Sequence, residues 1–77
     1  MVTVRVHIML KPSLLDSAGR TVADALNKLS FEEVNEVRIG KVIELKMDSV
    51  DEARIKAMCD QLLANPVIED YRFEVVH

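Results

Sequence analysis

The residues that could perform nucleophilic or acid–base chemistry are few in this chain. Cys59 is the only cysteine, and the histidines are His7 and His77. Nucleophilic catalysis needs a Ser, Cys or Lys held beside a base that is itself oriented. Cys59 lies in the middle of an apolar helix pattern, where burial makes a thiol inert. His7 lies on the polar face of a predicted strand and His77 is terminal, so the sequence predicts no catalytic residue.

Metal and phosphate sites are also not predicted. A closed zinc site needs four converging ligands, and the chain has no CxxC or HxxxH spacing. Glu32, Glu33 and Glu36 are neighbouring carboxylates in a predicted turn, and such groups are usually solvated. Gly19 and Gly40 are the only glycines, and neither belongs to a phosphate-binding loop motif. We therefore expect no cofactor or metal in this chain.

Length and charge limit the possible functions. A chain of 77 residues is expected to form one domain over residues 1–77, and 49% hydrophobic residues make it too apolar to be disordered. Its net charge of −3 argues against a nucleic-acid or anionic-membrane surface. The N-terminus has neither a signal-peptide nor a membrane-spanning pattern, and a lone cysteine suits a reducing compartment. A cytoplasmic location is therefore expected.

The small size of the domain predicts self-association. A chain this short buries only about 60% of the surface that its unfolded form exposes. Small domains usually offset this with disulfides, a structural metal or oligomerisation. The first two routes are not offered by the sequence, so we expect a dimer or tetramer.

The first two elements are a strand and a helix. Residues 2–10 alternate between apolar and polar side chains, which predicts a half-buried strand. Asp16 or Ser17 can cap a helix that runs to about Leu29. The apolar stripe of this helix is formed by residues at i, i+4 and i+7, namely Val22, Leu26 and Leu29.

The segment from residue 34 to residue 47 keeps one apolar register straight through Gly40 and Lys41. A two-residue hairpin at this point is possible, but it would place Val37 opposite Glu44 and mix a carboxylate into an apolar face. One long strand, bent or bulged at Gly40, keeps the faces cleaner and is favoured. At ~3.3 Å per residue it would be about 45 Å long, so part of it is expected to pair with a second copy.

A second helix and a last strand complete the predicted fold. Asp48 and Ser49 are expected to start the helix, with Glu52 in capping-box spacing after Ser49. Its predicted core stripe is Ile55, Met58, Cys59, Leu62 and Leu63. Asn65 suits a left-handed helix end, Pro66 stops the helix, and an alternating strand follows. The order β-α-β(long, bent)-α-β predicts an α+β domain related to ferredoxin-like folds, with two helices on one face of a mostly antiparallel sheet.

Two segments are more polar than a sheet of this size requires. Cations flank the glycine of the long strand, and a polar stop follows the second helix. From these we predict partner-binding residues at Arg38, Gly40, Lys41, Asn65 and Pro66.

The same two segments resemble one known family. VRIGKVIEL at residues 37–45 and LLANPVIEDY at residues 62–71 are similar to signatures of PurS, the small S subunit of phosphoribosylformylglycinamidine synthase. The resemblance extends over essentially the whole chain. Ser17 stands where proline is common in the family and Ser30 where glycine is common, which affects only the helix ends.

The resemblance implies a role in de novo purine biosynthesis. The family's enzyme converts formylglycinamide ribonucleotide to the amidine with ATP and glutamine. The resemblance places ATP and Mg in a large ligase subunit and ammonia release in a glutaminase subunit. The S subunit, as a dimer or tetramer, is expected to bridge them and assist ammonia transfer, without catalytic residues of its own.

Two rival functions belong to other classes. A small-molecule-sensing regulatory module also combines two helices with a sheet, but such modules usually place Gly-rich turns at the ligand, and only Gly40 is available. A small single-domain enzyme ranks last, because no pair of nucleophile and base supports it.

Overall fold

The computed structural model describes residues 1–76 and contains a three-stranded sheet with two helices. The elements are β1 (Val2–Leu10), α1 (Ser17–Lys28), β2 (Gly40–Met47), α2 (Glu52–Met58), a π turn (Cys59–Leu63) and β3 (Glu69–Val76). The sheet is antiparallel with the order β2-β1-β3. The predicted α+β class and element order are therefore confirmed. No helix within residues 1–76 is long and apolar enough to cross a membrane.

The hydrophobic core lies between one face of the sheet and α2. Alternate residues of β1 point to this face, and Val4, Val6 and Ile8 are fully buried there or nearly so. They pack in one cluster with three residues of α2 and the segment after it, which are Ile55, Cys59 and Ala64. Burial of these side chains is the main favourable contribution to folding.

Helix α1 does not join this core. Gly19 is its only buried residue, and none of its residues belongs to the core cluster. Of the two helices expected on one face, the structure places only α2 against the core. Helix α1 instead runs beside residues 34–39, where the Asn27 side chain donates to the carbonyl of Val34 at 3.4 Å. We call residues 17–39, which comprise α1 and this returning segment, the arm.

The arm makes the chain extended for its length. Its radius of gyration is 15.7 Å and its extents are 47 × 28 × 13 Å. A compact domain of this length would have a radius of gyration of about 11.5 Å. Leu29 and Phe31 on the arm are 67% and 48% exposed. The arm therefore carries apolar surface that this chain does not cover.

The long strand is shorter in the structure than predicted. Strand β2 covers Gly40–Met47, and residues 34–39 have no assigned secondary structure. The reason is the length of β1, whose ladder with β2 ends at the Met9–Gly40 pair. No further strand of the described chain continues beside residues 34–39. The alternative hairpin is excluded, because no strand precedes Gly40 to pair with β2.

The helix ends differ in detail from the prediction. The Asp51 carboxylate caps α2 by accepting from the N–H of Arg54 at 3.3 Å, so the helix starts later than Asp48 and Ser49. At the end of α1, the N–H of Ser30 donates to Asn27 and that of Phe31 to Leu26, which is the Schellman arrangement. Ser30 has a φ of 77° and occupies the left-handed position of that motif.

The π turn changes which residues are buried after α2. The N–H of Ala64 donates to the carbonyl of Cys59 at 2.9 Å, which is an i to i+5 bond. Because this wider turn rotates the following residues, Ala64 is buried and Leu62 is 83% exposed. The prediction that Leu62 belongs to the core stripe is wrong. Asn65 was expected in the left-handed region, yet Ser30 is the only described non-glycine residue with positive φ.

Candidate assembly surface

Asp16 joins the start of α1 to the start of β2. Its Oδ1 atom accepts the N–H of Gly19 at 2.8 Å and thereby caps the helix. Its Oδ2 atom accepts the N–H of Ile39 at 2.7 Å. These two backbone hydrogen bonds, the one from Ile39 first, lower the pKa of the Asp16 carboxyl, and the nearby Arg38 charge lowers it further. One carboxylate therefore fixes both ends of the arm.

Arg38, next to Ile39, binds the backbone at the end of β1. Its guanidinium donates to the carbonyls of Leu10 at 2.6 Å and Lys11 at 3.2 Å. These carbonyls lie where the ladder of β1 and β2 ends, and the Lys11 carbonyl also accepts the N–H of Leu14 at 2.9 Å. The predicted partner-binding residue Arg38 thus has a structural role within the chain.

Both glycines lie where backbones approach closely. A Cβ on Gly19 would collide with the carbonyl oxygen of Val37 and lie 2.9 Å from the Asp16 carboxylate. A Cβ on Gly40 would collide with the carbonyl oxygen of Ile8 and the sulfur of Met9. Gly19 therefore allows α1 to contact the returning segment, and Gly40 allows β2 to enter the ladder.

A groove of about 430 Å³ lies between α1 and the returning segment of the arm. The residues that line it carry charges of both signs and two amides, and they include Arg20, Asp24, Asn27, Asn35, Glu36 and Arg38. Such a mixed polar lining does not define a particular small ligand.

Lys41 lies on the core side of the register, opposite Ile8, and is exposed. Within the described residues its ammonium group has no hydrogen-bond or ion-pair partner. A cation in the apolar register of a strand needs a partner if it becomes buried, and the described part of this chain does not supply one.

The outer edge of β2 has unpaired backbone groups. The N–H of Lys11 donates to the carbonyl of Ile68, next to β3, so the backbone N–H and C=O groups of odd-numbered residues at this end of β1 point toward β3. The direction of these groups alternates along an antiparallel strand, so those of even-numbered residues of β1 point toward β2. In β2 the residues opposite odd-numbered β1 positions, Val42, Glu44 and Lys46, therefore direct their backbone groups outward. This edge can accept another strand.

Asn65 and Pro66 form the turn that leads into β3. The Asn65 side chain accepts the N–H of Val67 at 3.0 Å, and the N–H of Asn65 donates to Glu69 at 2.8 Å. Pro66 lines a cleft together with Lys11. The structure therefore brings the two predicted groups, Arg38 with its neighbours and Asn65 with Pro66, to the same end of the sheet, beside opposite edges of β1.

The residues considered for catalysis do not form a reactive site in the described chain. Cys59 is a buried free thiol whose pKa is raised, first by burial and then by the Asp60 charge. The Nε2 atom of His7 lies 3.2 Å from a carboxylate oxygen of Glu74 on the polar face of the sheet. Within residues 1–76 no three His, Cys, Asp or Glu side chains are arranged to hold a metal.

Two site residues were missed from the sequence. Asp16 was recognised only as a possible helix cap, and its bond to Ile39 depends on a contact 23 positions along the chain. Gly19 had no motif to mark it, although a glycine near a helix start is a signal for close backbone approach.

A small α+β domain with a projecting arm and an unpaired sheet edge has the features of an assembly subunit. Similarity to known proteins identifies the family to which this subunit belongs. Residues 3–77 match the family model described as PurS: phosphoribosylformylglycinamidine (FGAM) synthase. The chain belongs to the PurS family and is a subunit of FGAM synthase, an enzyme complex of purine biosynthesis.

Relatives support this assignment over nearly the full length. The PurS subunit of FGAM synthase from Bacillus subtilis is 47% identical, with 97% of this chain and 93% of the relative covered. The corresponding protein from Synechocystis is 49% identical, covering 92% of this chain and 75% of the relative.

Solved structures agree with the fold. The B. subtilis PurS crystal structure matches with a TM-score of 0.90 at 46% identity, and both chains are fully covered. PurS of Methanocaldococcus jannaschii matches with a TM-score of 0.88 at 42% identity, covering 99% of this chain and 96% of the other. A chain of PurLQS from Thermotoga maritima has a TM-score of 0.84 at 24% identity, covers 97% and 96%, and shows the shared fold alone.

Proposed function

We propose that this chain is a non-catalytic subunit that bridges the ATP-dependent ligase subunit and the glutaminase subunit of FGAM synthase and assists ammonia transfer between them. Family membership supports the complex, and the T. maritima structure named PurLQS supports a complex that contains an S chain. The observation that carries the proposal is the arm, whose exposed apolar residues and adjoining free strand edge need partners.

Self-association belongs to this proposal. The arm exposes at least 40% of each of three apolar residues, Leu29, Phe31 and Ile39. Burial of these side chains against another chain would be favourable. Residues 34–39 lead directly into β2, so a second copy placed antiparallel along β2 would meet both its edge and this segment. A dimer, or a tetramer made from two such dimers, would cover these surfaces.

The chemistry is proposed to lie in the other subunits. ATP and Mg would bind the large ligase subunit, and glutamine would be hydrolysed in the glutaminase subunit, in the cytoplasm. The S subunit would contribute surface and position. Its only cysteine is buried, which suits a structural role.

The partner contacts are proposed at Arg38, Gly40, Lys41, Asn65 and Pro66. The side chains of Arg38 and Asn65 already bind backbone groups of their own chain, so they would act by holding the surface in place. Gly40, Lys41, Asn65 and Pro66 are all exposed, and the side chains of Lys41 and Pro66 make no hydrogen bond among the described residues, so these two can touch a partner directly.

The variant Lys41→Glu tests this assignment in a reconstituted three-subunit complex. We expect lower glutamine-dependent activity and weaker co-elution with the partners, because a surface cation is reversed. Lys56→Glu, on the exposed side of α2, is the matched control and should leave both unchanged. If Lys41→Glu also leaves both unchanged, Lys41 does not contact a partner.

A further inference from the structure

The corner between α2 and β3 exposes apolar side chains. Leu62 is 83% exposed and Val67 is 77% exposed, and Pro66 between them is also exposed. A regular continuation of α2 would place Leu62 on the same face as Cys59, toward the core. The π turn forgoes this burial and directs Leu62 outward. We call residues 60–69 the corner surface.

Hydrogen bonds fix the shape of the corner surface. The N–H of Ala64 donates to the carbonyl of Cys59 at 2.9 Å, and Ala64 is buried. The Tyr71 hydroxyl donates to the Asp60 carboxylate at 2.9 Å and so ties the π turn to β3. Single π turns inside helices occur frequently at functional sites. The outward position of Leu62 belongs to the packed structure, so a partner that covers it need not order this backbone first.

A cleft of about 350 Å³ borders the corner surface and carries negative charge. Its lining includes Asp60 and Glu69, whose carboxylates accept hydrogen bonds from a hydroxyl at 2.9 Å and a backbone N–H at 2.8 Å, both neutral donors. Neither carboxylate forms an ion pair among the described residues. Lys11 also lines the cleft, but its ammonium group binds Asp70 at 3.0 Å. A cationic side chain from another protein would complement this cleft.

The corner surface lies away from the outer edge of β2. The sheet order is β2-β1-β3, so β1 separates β2 from β3 and from the corner that precedes β3. A second copy bound along the outer edge of β2 does not need the corner surface. A subunit that bridges other subunits requires a second surface of this kind.

The charges of the corner surface disfavour a second copy as its occupant. In a twofold contact the same patch of both copies meets itself. The carboxylates of Asp60 and Glu69 would then approach their own equivalents, and like charges brought together across an interface are unfavourable. The charges therefore favour a different protein that carries the opposite charge.

We propose that the corner surface docks another subunit of FGAM synthase, through a partner pocket that is apolar at its centre and carries Lys or Arg at its border. Leu62 and Val67 enter the apolar part, because burial of exposed apolar surface is favourable. The basic side chain of the partner lies in the cleft beside Asp60 and Glu69. The proposal rests on the proposed function and names a surface for its contact between different subunits.

Binding of the full-length chain to the purified ligase and glutaminase subunits, each alone and both together, tests this surface. Affinities are measured by biolayer interferometry for the parent, Leu62→Gln and Val67→Gln. Each change should raise the dissociation constant roughly tenfold for the subunit that docks here, because apolar contact is lost. The matched control is Val50→Gln, at a 42% exposed residue just before the N-cap of α2, and it should bind like the parent.

Glu69→Gln tests the charge of the cleft. Glutamine still offers an oxygen to the N–H of Asn65 but carries no charge. Binding should weaken several-fold and should depend less on salt concentration. Glu52→Gln, at the exposed start of α2, is the control and should change neither the affinity nor its salt dependence.

Alkylation gives a second measurement that does not require a change in affinity. In Val67→Cys the introduced thiol lies at an exposed position, whereas the native thiol of Cys59 is buried. A maleimide should label position 67 in the isolated chain, and this labelling should be lost in the assembled three-subunit complex, because the docked partner covers it. Val50→Cys should be labelled at the same rate in both.

The outcomes are distinguishable. Weaker subunit binding by Leu62→Gln and Val67→Gln, with protection of position 67, supports the corner surface. Variants that bind like the parent, or a position 67 that stays reactive in the complex, overturn the corner surface and leave the proposed function standing. A parent that binds neither subunit overturns both. Circular dichroism checks the fold of each variant, and if Leu62→Gln fails to fold, the labelling of Val67→Cys decides.

Discussion

The carboxylate of Asp16 accepts a hydrogen bond from the backbone N–H of Ile39 at 2.7 Å, while its other oxygen caps α1 at Gly19. The arm is therefore tied at the point where it leaves the sheet and where it returns. Since the arm makes almost no contact with the core, this junction determines its direction relative to β2. The assembly surface depends on that direction.

Asp16→Asn should make stability less dependent on acid pH. Hydrogen bonding lowers the pKa of Asp16 in the folded state, so the unfolded state binds more protons at mildly acid pH. Its stabilising contribution is complete above about pH 4, the ordinary range of an aspartic carboxyl, and is lost as pH falls through the lowered folded pKa. An asparagine can still cap Gly19 but presents one acceptor fewer to Ile39.

The measurement is urea unfolding of parent and variant between about pH 2 and pH 6, a range that brackets the ordinary pKa of a carboxyl group. The slope of the free energy of unfolding against pH reports how many more protons the unfolded state binds, and this number should be lower in the variant by up to about one. Glu44, whose pKa is also lowered, chiefly by Arg5, keeps a residual slope in both. Identical slopes in parent and variant would show that Asp16 does not carry this coupling.

Gly19→Ala should destabilise the chain even though alanine favours helix. The added Cβ collides with the Val37 carbonyl, and such overpacking costs about 1–3 kcal/mol, against a gain in helix propensity of about 1 kcal/mol. A net loss of about 1 kcal/mol in the free energy of unfolding is expected. Thr21→Ala, at an exposed position of the same helix, is the control and should be neutral or slightly stabilising. A stabilised Gly19→Ala protein would contradict the close approach of α1 and Val37.

Ser30→Gly should stabilise the chain. Ser30 adopts a φ of 77° at the end of α1. This conformation costs an L-residue about 1 kcal/mol and glycine almost nothing. Thermal unfolding should show a raised midpoint for Ser30→Gly, whereas Ser30→Ala should be unchanged or lower. Equal midpoints for the glycine and alanine variants would indicate that the left-handed turn is absent.

Leu62→Gln distinguishes the π turn from a regular continuation of α2. Because Leu62 is 83% exposed, the change should alter the free energy of unfolding by no more than about 0.5 kcal/mol. Ile55→Ala, in the buried stripe, should cost about 2–5 kcal/mol. A loss of similar size at both positions would place Leu62 in the core and exclude the π turn.

The fold was predictable where side-chain periodicity alone decides it. Strand β1 and the extent of α1 follow from alternation and from an i, i+4, i+7 stripe, and both match the structure. The α+β class follows from their order. Cys59 was correctly predicted as a buried thiol, because it lies in the middle of an apolar stripe.

The remaining features depend on contacts between distant residues. The exposure of Leu62 arises from one i to i+5 bond at Cys59, which the apolar pattern does not reveal. The end of β2 at Gly40 is set by the length of β1. The second bond of Asp16 requires that Ile39 fold back beside it. The predicted contacts of Lys41 and Pro66 with other subunits concern surfaces outside this chain and stay predictions.

The central claim is that a second copy completes the arm and the outer edge of β2. Sedimentation equilibrium of the purified full-length chain over a dilution series to nanomolar concentration tests it most directly, with circular dichroism recorded on the same samples. The account predicts a dimer or tetramer at micromolar concentration, and dissociation accompanied by loss of structure or exposure of the arm. A stable, fully folded monomer at every concentration would contradict it.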